Sequence, residues 1–233
     1  MTSRDLSVFV GVAARRPQLV GAVAPSGRRL ADALATVVPR TGSPFVAELG
    51  PGSGTVSRAV ARRLPGDGRH LAVEIDEGFA RHLRQCFPDT EIVHGDAADL
   101  RTIVDAPVDA VVSGLPWSLF DESRQRTILG AVRDVLARDG AFTTFAYRHA
   151  AGLSGARRFR RLLDEYFDEV VDGRTVWRNL PPAGVLLCRR PIRAATARSA
   201  VGDPDASGQQ HRSGQQQHPR CGDRDARPGH GGQ

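Results

Sequence analysis

Apolar strands alternating with helix-patterned segments, closed by two strands with no helix between them, predict an α/β protein. Its sheet should be mostly parallel and seven-stranded, with helices on both faces and helical segments leading in at the N-terminus. Three observations carry this. The apolar run Phe45-Val46-Ala47-Glu48-Leu49 enters glycines at alternate positions, Gly50, Gly52 and Gly54. Apolar residues at helical spacing follow at once, at Val56, Ala59, Val60 and Leu64. The run Val108–Ser113 is mostly apolar, as a parallel strand covered on both faces should be.

Each element can be justified in chain order. Residues 3–16 place Leu6, Phe9, Val10 and Ala13 on one helical face, with arginines near the ends. Two readings stay open there: a membrane-surface helix, or a lid packed on the domain. Ser26 is an expected N-cap for a helix running to about Val38. Residues 1–40 form this N-terminal helical segment, and 41–190 the main domain. Strand one spans 45–49, and a helix spans about 54–64. Pro65-Gly66-Asp67-Gly68 is a turn. Strand two ends at Glu74, a helix covers Phe79 to Phe87, and Glu91–His94 is a short strand. Ala97 to Val104 reads as helical, then Val108–Ser113 as strand four. The helix Asp121–Leu136 is expected to end in Arg138-Asp139-Gly140, with the glycine as its stop. Ala141–Tyr147 is strand five, 152–166 a basic helix, and 167–176 and 183–190 the closing strands. Residues 191–233, rich in Gln, Gly, Pro and Arg, carry too little apolar surface to order themselves and read as a disordered tail.

Composition excludes several classes. The chain has 233 residues, 40% hydrophobic and 25% charged, ordinary values for a globular protein. Its net charge is +6, and every basic residue is arginine. Such a balance suits an anionic partner, whether a lipid surface or nucleic acid. Cys86, Cys188 and Cys221 are scattered, so neither a disulfide framework nor a metal site is expected. No stretch reaches the roughly 18–20 apolar residues of a spanning helix, and a cytoplasmic protein is expected.

The glycine loop carries the chemistry. Alternate glycines let the backbone pass close to a ligand, and G-x-G-x-G differs from the dinucleotide spacing G-x-G-x-x-G. Glu74, at the tip of strand two, can accept hydrogen bonds from both hydroxyls of a ribose, with Asp76 as the competing candidate. Asp96-Ala97 follows strand three, where Asp96 also reads as a helix N-cap.

The form Glu48-x-Gly50-x-Gly52-x-Gly54 resembles motif I of class I S-adenosyl-L-methionine (SAM)-dependent methyltransferases, which have a Rossmann-like fold. The resemblance implies SAM as cofactor, held by Glu48, Gly50, Gly52, Gly54, Glu74 or Asp76, Asp96, Ala97 and Ser113. Ser113-Gly114-Leu115-Pro116-Trp117 falls where that family has motif IV, beside the methyl donor. Ser113-Gly114 stands where ribosomal RNA adenine dimethyltransferases have Asn, which counts against an RNA acceptor. From about Phe9 to Arg190 the chain is more similar to bacterial phospholipid N-methyltransferases of the phosphatidylethanolamine type. The segments 20–26, 93–97, 112–116 and 176–183 carry that likeness, Trp177-Arg178-Asn179-Leu180-Pro181-Pro182 most specifically. It implies methyl transfer to a phospholipid headgroup amine by an enzyme docked on the inner membrane face through its N-terminal helix.

Ser113, Leu115, Pro116, Trp117 and Tyr147 are the candidate catalytic residues. A neutral amine attacks a sulfonium methyl in line, so the protein supplies orientation and a dry pocket. Tyr147 or His149 could take a proton, Trp117 could face a methylated cation, and Arg178 could meet a phosphate. Two departures from the family stand at the expected acceptor pocket: Trp117 replaces a smaller aliphatic residue, and Arg148-His149 replaces Gly-Pro. A small-molecule or RNA acceptor, or SAM binding without catalysis, are the rival readings.

Overall fold

The computed structural model describes residues 27–193. The expectations for residues 1–26, including the helix at 3–16 and the Ser26 cap, and those for the tail beyond 193, lie outside the described residues. The elements are α1 (Arg28–Leu34), β1 (Phe45–Leu49), α2 (Thr55–Ala61), β2 (Arg69–Glu74), α3 (Glu77–Cys86), β3 (Glu91–His94), α4 (Leu100–Ile103), β4 (Val108–Ser113), α5 (Glu122–Val135), β5 (Leu136–Tyr147), α6 (Ser154–Tyr166), β6 (Phe167–Val176) and β7 (Ala183–Pro191). Short 3-10 turns lie at Ala35–Val37, Ala97–Asp99, Trp117–Leu119 and Arg148–Ala150.

The strands form one seven-stranded sheet in the order β3-β2-β1-β4-β5-β7-β6. β1 to β5 are mutually parallel, and β7 runs antiparallel to both β5 and β6. The period-2 alternation of a strand sorts side chains to two faces. Ala47, Leu49, Leu71, Val73 and Val111 pack with Leu100, Ile128, Leu129, Val132, Phe159 and Leu162 of α4, α5 and α6. Val46, Ala110 and Val112 pack on the other face with Leu30 and Leu34 of α1 and Val56 and Val60 of α2. The predicted Rossmann-like architecture, with helices on both faces, is therefore present.

The boundary between α5 and β5 differs most from expectation. α5 ends at Val135, and β5 begins at Leu136, with no left-handed glycine between them. Leu136 is fully buried and pairs with Val108, so burial and strand pairing end the helix. Gly140 lies within β5, where a Cβ would sit 2.9 Å from the Val108 carbonyl oxygen. Close backbone approach, not helix capping, explains the glycine.

Parallel register gathers the site. Leu49 lies beside both Val73 and Ser113, and Glu74 beside His94. The residues just past these strand ends, Gly50, Gly95-Asp96 and Gly114, therefore meet at one edge. The chain reverses its order of strand addition between β1 and β4, and such a switch point opens a crevice at the carboxyl ends.

Candidate functional site

The glycine loop has the backbone its sequence suggests. Gly50, Gly52 and Gly54 have φ of 69°, 54° and 79°, a region that disfavours any residue with a Cβ. A Cβ on Gly52 would meet nothing within 4 Å, whereas one on Gly54 would strike the Phe87 ring at 2.5 Å. Gly54 thus serves packing beside α3, and Gly52 keeps space open. Gly52 N–H donates to Glu74 Oε2 at 2.9 Å, and Asp76 N–H donates to Glu74 Oε1 at 2.9 Å. Glu74 is 3% exposed, and burial pushes its carboxyl above the ordinary range despite those two donors.

Gly50, Gly52, Glu74, Gly95, Asp96, Ala97, Gly114, Leu115, Pro116, Phe120 and Arg124 are among the residues lining a cleft of about 90 Å³. Asp96 Oδ1 accepts from Ala98 N–H at 2.8 Å, as an N-cap should, and also pairs with Arg124 of α5. The expected cap and the expected site residue are one side chain. Arg124 carries no motif, and sequence reading missed it; its helical register under an inward-facing Ile128 was the available signal.

Not every predicted residue reaches the cleft. Glu48 is 1% exposed and bonds through Oε2 to His70 Nε2 at 3.1 Å on the opposite sheet face, while its Oε1 is buried with no partner. Period-2 alternation explains this, since Glu48 follows Ala47 and so points the other way. Asp76 caps α3 by accepting from Phe79 N–H at 2.9 Å and does not line the cleft. Ser113 is fully buried, and its hydroxyl accepts from Trp117 Nε1–H at 3.1 Å and from Leu115 N–H at 3.3 Å. It acts as a strut for the turn that follows.

A second, larger cavity of about 640 Å³ lies on the far side of that turn. Gly114, Leu115 and Pro116 line both cavities and form the wall between them. The larger one is walled by Phe145, Tyr147, Phe159, Val185 and Leu186, with Arg148, Arg157, Arg160 and Arg161 also on its lining. Trp117 is 2% exposed, stacked on Phe159 at 4.4 Å and edge-on to Phe120 and Phe142. Its nearer face is thereby used in packing. Gln125, also missed from sequence, donates to the Trp117 carbonyl at 2.7 Å and the Gly155 carbonyl at 3.1 Å, clamping the turn against α6. Tyr147 is buried, and desolvation holds its phenol above the usual range, so at neutral pH it stays a hydroxyl. It stacks on His149 at 5.5 Å.

The small cleft fits SAM by its donor set. It offers a loop with open space at Gly52, a carboxylate at the second strand tip and another at the third. Among the described residues no cluster could hold a metal ion.

The titration of Glu74 gives a prediction. Its pKa is raised on folding, so the folded protein binds the extra proton. The contribution of Glu74 to stability should be fully present below the ordinary value of 4.5 and be lost as pH rises through the raised one. Thermal melts of Glu74→Gln should show a flatter pH profile over that window than the wild type, together with weaker SAM binding at neutral pH.

Comparison with known proteins gives the family and the fold. A family model described as a methyltransferase domain matches residues 46–140. The ornithine lipid N-methyltransferase of Singulisphaera acidiphila is 32% identical over 195 residues, covering 80% of this chain and 96% of that protein. The O-methyltransferase of Bacillus cereus, solved with S-adenosylhomocysteine (SAH), superposes with a TM-score of 0.58 at 17% identity, over 80% of this chain and 90% of that one. A spermidine synthase solved with a transition-state analogue superposes with a TM-score of 0.57 at 16% identity, and the match spans 72% of this chain and 62% of that one. The chain therefore belongs to the class I SAM-dependent methyltransferases, in the N-methyltransferase family that includes the Singulisphaera acidiphila relative.

Proposed function

We propose that this methyltransferase acts on the primary amine of a membrane lipid headgroup, of the phosphatidylethanolamine or ornithine lipid type. The observation that carries this is the shared wall Gly114-Leu115-Pro116. It separates the small cleft at the glycine loop from a large, mostly apolar cavity with arginines on its lining. The relative's lipid acceptor supports the reading, as do the apolar walls, which suit hydrocarbon more than a free polar amine.

When bound, SAM supplies an electrophilic methyl group on a sulfonium. The protein's part is to hold the partners. Glu74 and Asp96 lie where carboxylates can take the ribose hydroxyls and the adenine edge, and Ala97 packs beside them. The turn Gly114–Pro116 positions the amine, with Ser113 and Gln125 fixing the turn from behind. Arg148, Arg157 and Arg161 can receive the acidic group of a headgroup, phosphate or carboxylate. The amine must be neutral to attack, so the rate should rise with pH until it is deprotonated. Tyr147, neutral at physiological pH, can accept a hydrogen bond from the amine but is not a phenolate base.

Tyr147→Phe should accordingly lower kcat about ten-fold while leaving SAM affinity unchanged. The reading as a whole is tested by offering methyl-labelled SAM with detergent-dispersed phosphatidylethanolamine, ornithine lipid, small soluble amines and RNA. Label in a lipid amine supports it. Label confined to RNA or a soluble amine, or none at all while SAM binds by calorimetry, overturns it.

A further inference from the structure

The turn between β6 and β7 displays two large apolar side chains to solvent. Trp177 is 71% exposed and Leu180 is 80% exposed, the two largest such exposures among the described residues. Asn179 between them is buried; its Oδ1 accepts from Gly27 N–H at 2.8 Å and its Nδ2 donates to the Pro181 carbonyl at 2.7 Å. The turn is thus pinned through its middle residue, and its flanking side chains are held outward. One exposed apolar residue needs no explanation, but an indole and a leucine fixed outward on a single turn do.

The turn also sits at one end of the larger cavity. Thr175 and Gly184, on its two sides, line that cavity, and Arg148 of the same lining donates its N–H to the Pro182 carbonyl at 2.9 Å. Arg148, Arg174 and Arg178 are exposed and form no ion pair with a described residue.

We propose that residues 177–182 form an interfacial anchor that seats Trp177 and Leu180 in the headgroup region of an anionic lipid surface, with Arg148, Arg174 and Arg178 against its phosphates. The mouth of the larger cavity then faces the bilayer. This rests on the lipid-amine reading. An indole, apolar in body with one N–H donor, partitions to that depth of a membrane, and arginines near anionic lipid are attracted electrostatically.

The test uses the full chain with vesicles of phosphatidylcholine, with and without added phosphatidylglycerol. Of the tryptophans, Trp117 is buried and Trp177 is exposed, so a change in emission reports Trp177. Anionic vesicles should shift that emission to the blue, and raised salt should weaken the effect. The double variant Trp177→Ser, Leu180→Ser should bind these vesicles at least about ten-fold less tightly, with its melting temperature and its turnover of detergent-dispersed lipid retained. The proposal is overturned if vesicles leave Trp177 emission unchanged, including the case in which residues 1–26 already cover it. Equal vesicle binding by the double variant also overturns it. Failure of the wild type to label any detergent-dispersed lipid amine would remove the lipid-amine reading instead, and vesicle binding would still be scored by itself.

Discussion

Gly114→Ala should cut methyl transfer by about a hundred-fold and lower the melting temperature. A Cβ at this position would lie 2.7 Å from the Gly50 carbonyl oxygen and 3.6 Å from that of Leu49. Both are backbone atoms, at the end of β1 and the start of the glycine loop, and neither can rotate away as a side-chain tip could. Gly114 N–H also donates to the Leu49 carbonyl at 2.8 Å, so the two loops are tied as well as touching. Relief requires the glycine loop and the acceptor turn to part. Overpacking of this kind costs about 1–3 kcal/mol. Displacement of a positioning element by about 1 Å can cost a hundred-fold in rate. Gly66→Ala is the control, since a Cβ there meets nothing and its φ is not left-handed. SAM titration, steady-state rates and thermal melts on both variants would check this, and an active Gly114→Ala enzyme would break the claimed coupling.

Asp96→Ala should be the most damaging change to the cofactor cleft. Asp96 accepts the Ala98 N–H and pairs with Arg124, with the two side chains only 14% and 22% exposed. Removing the carboxylate leaves a mostly buried guanidinium without its partner and uncaps the turn at Ala97. Breaking a buried pair by deleting one member costs about 3–5 kcal/mol, and partial exposure of Arg124 brings the expected loss to about 2–3 kcal/mol. SAM affinity should fall about a hundred-fold if the carboxylate also meets the adenine edge. Arg124→Met should cost less stability and weaken SAM binding less, because the cap survives. A double-mutant cycle read by denaturant unfolding and SAM calorimetry would separate the ion pair from the ligand contact. Additive effects would show the two residues uncoupled.

The parts legible in the sequence were those whose chemistry is local. Alternate glycines announce left-handed backbone, and Gly50, Gly52 and Gly54 have it. Glu74 and Asp96 sit at strand tips, and parallel register alone brings strand tips together. Motif position does not say which face a strand residue takes, and Glu48 turns to His70, away from the cleft. Trp117 reads as a candidate cation platform, yet the structure stacks it on Phe159, a residue distant in sequence. Arg124 and Gln125 escaped notice for the same reason, and Asn179 reads only as part of the segment 177–182. Each makes a hydrogen bond to a residue distant in sequence, Asp96, Gly155 and Gly27 in turn, that periodicity does not encode. The stop of α5 failed because Gly140 looks like a cap, while tertiary pairing of Leu136 had already ended the helix.

The proposed function requires one division: cofactor on one side of Gly114–Pro116, lipid amine on the other. A crystal structure with SAH and a short-chain lipid amine tests it most directly. The nucleoside should lie between Glu74 and Asp96, the amine against the Gly114–Pro116 turn, and the acyl chain between α6 and the strands β5 and β7. A nucleoside in the larger cavity, or a lipid amine bound away from that turn, would contradict it.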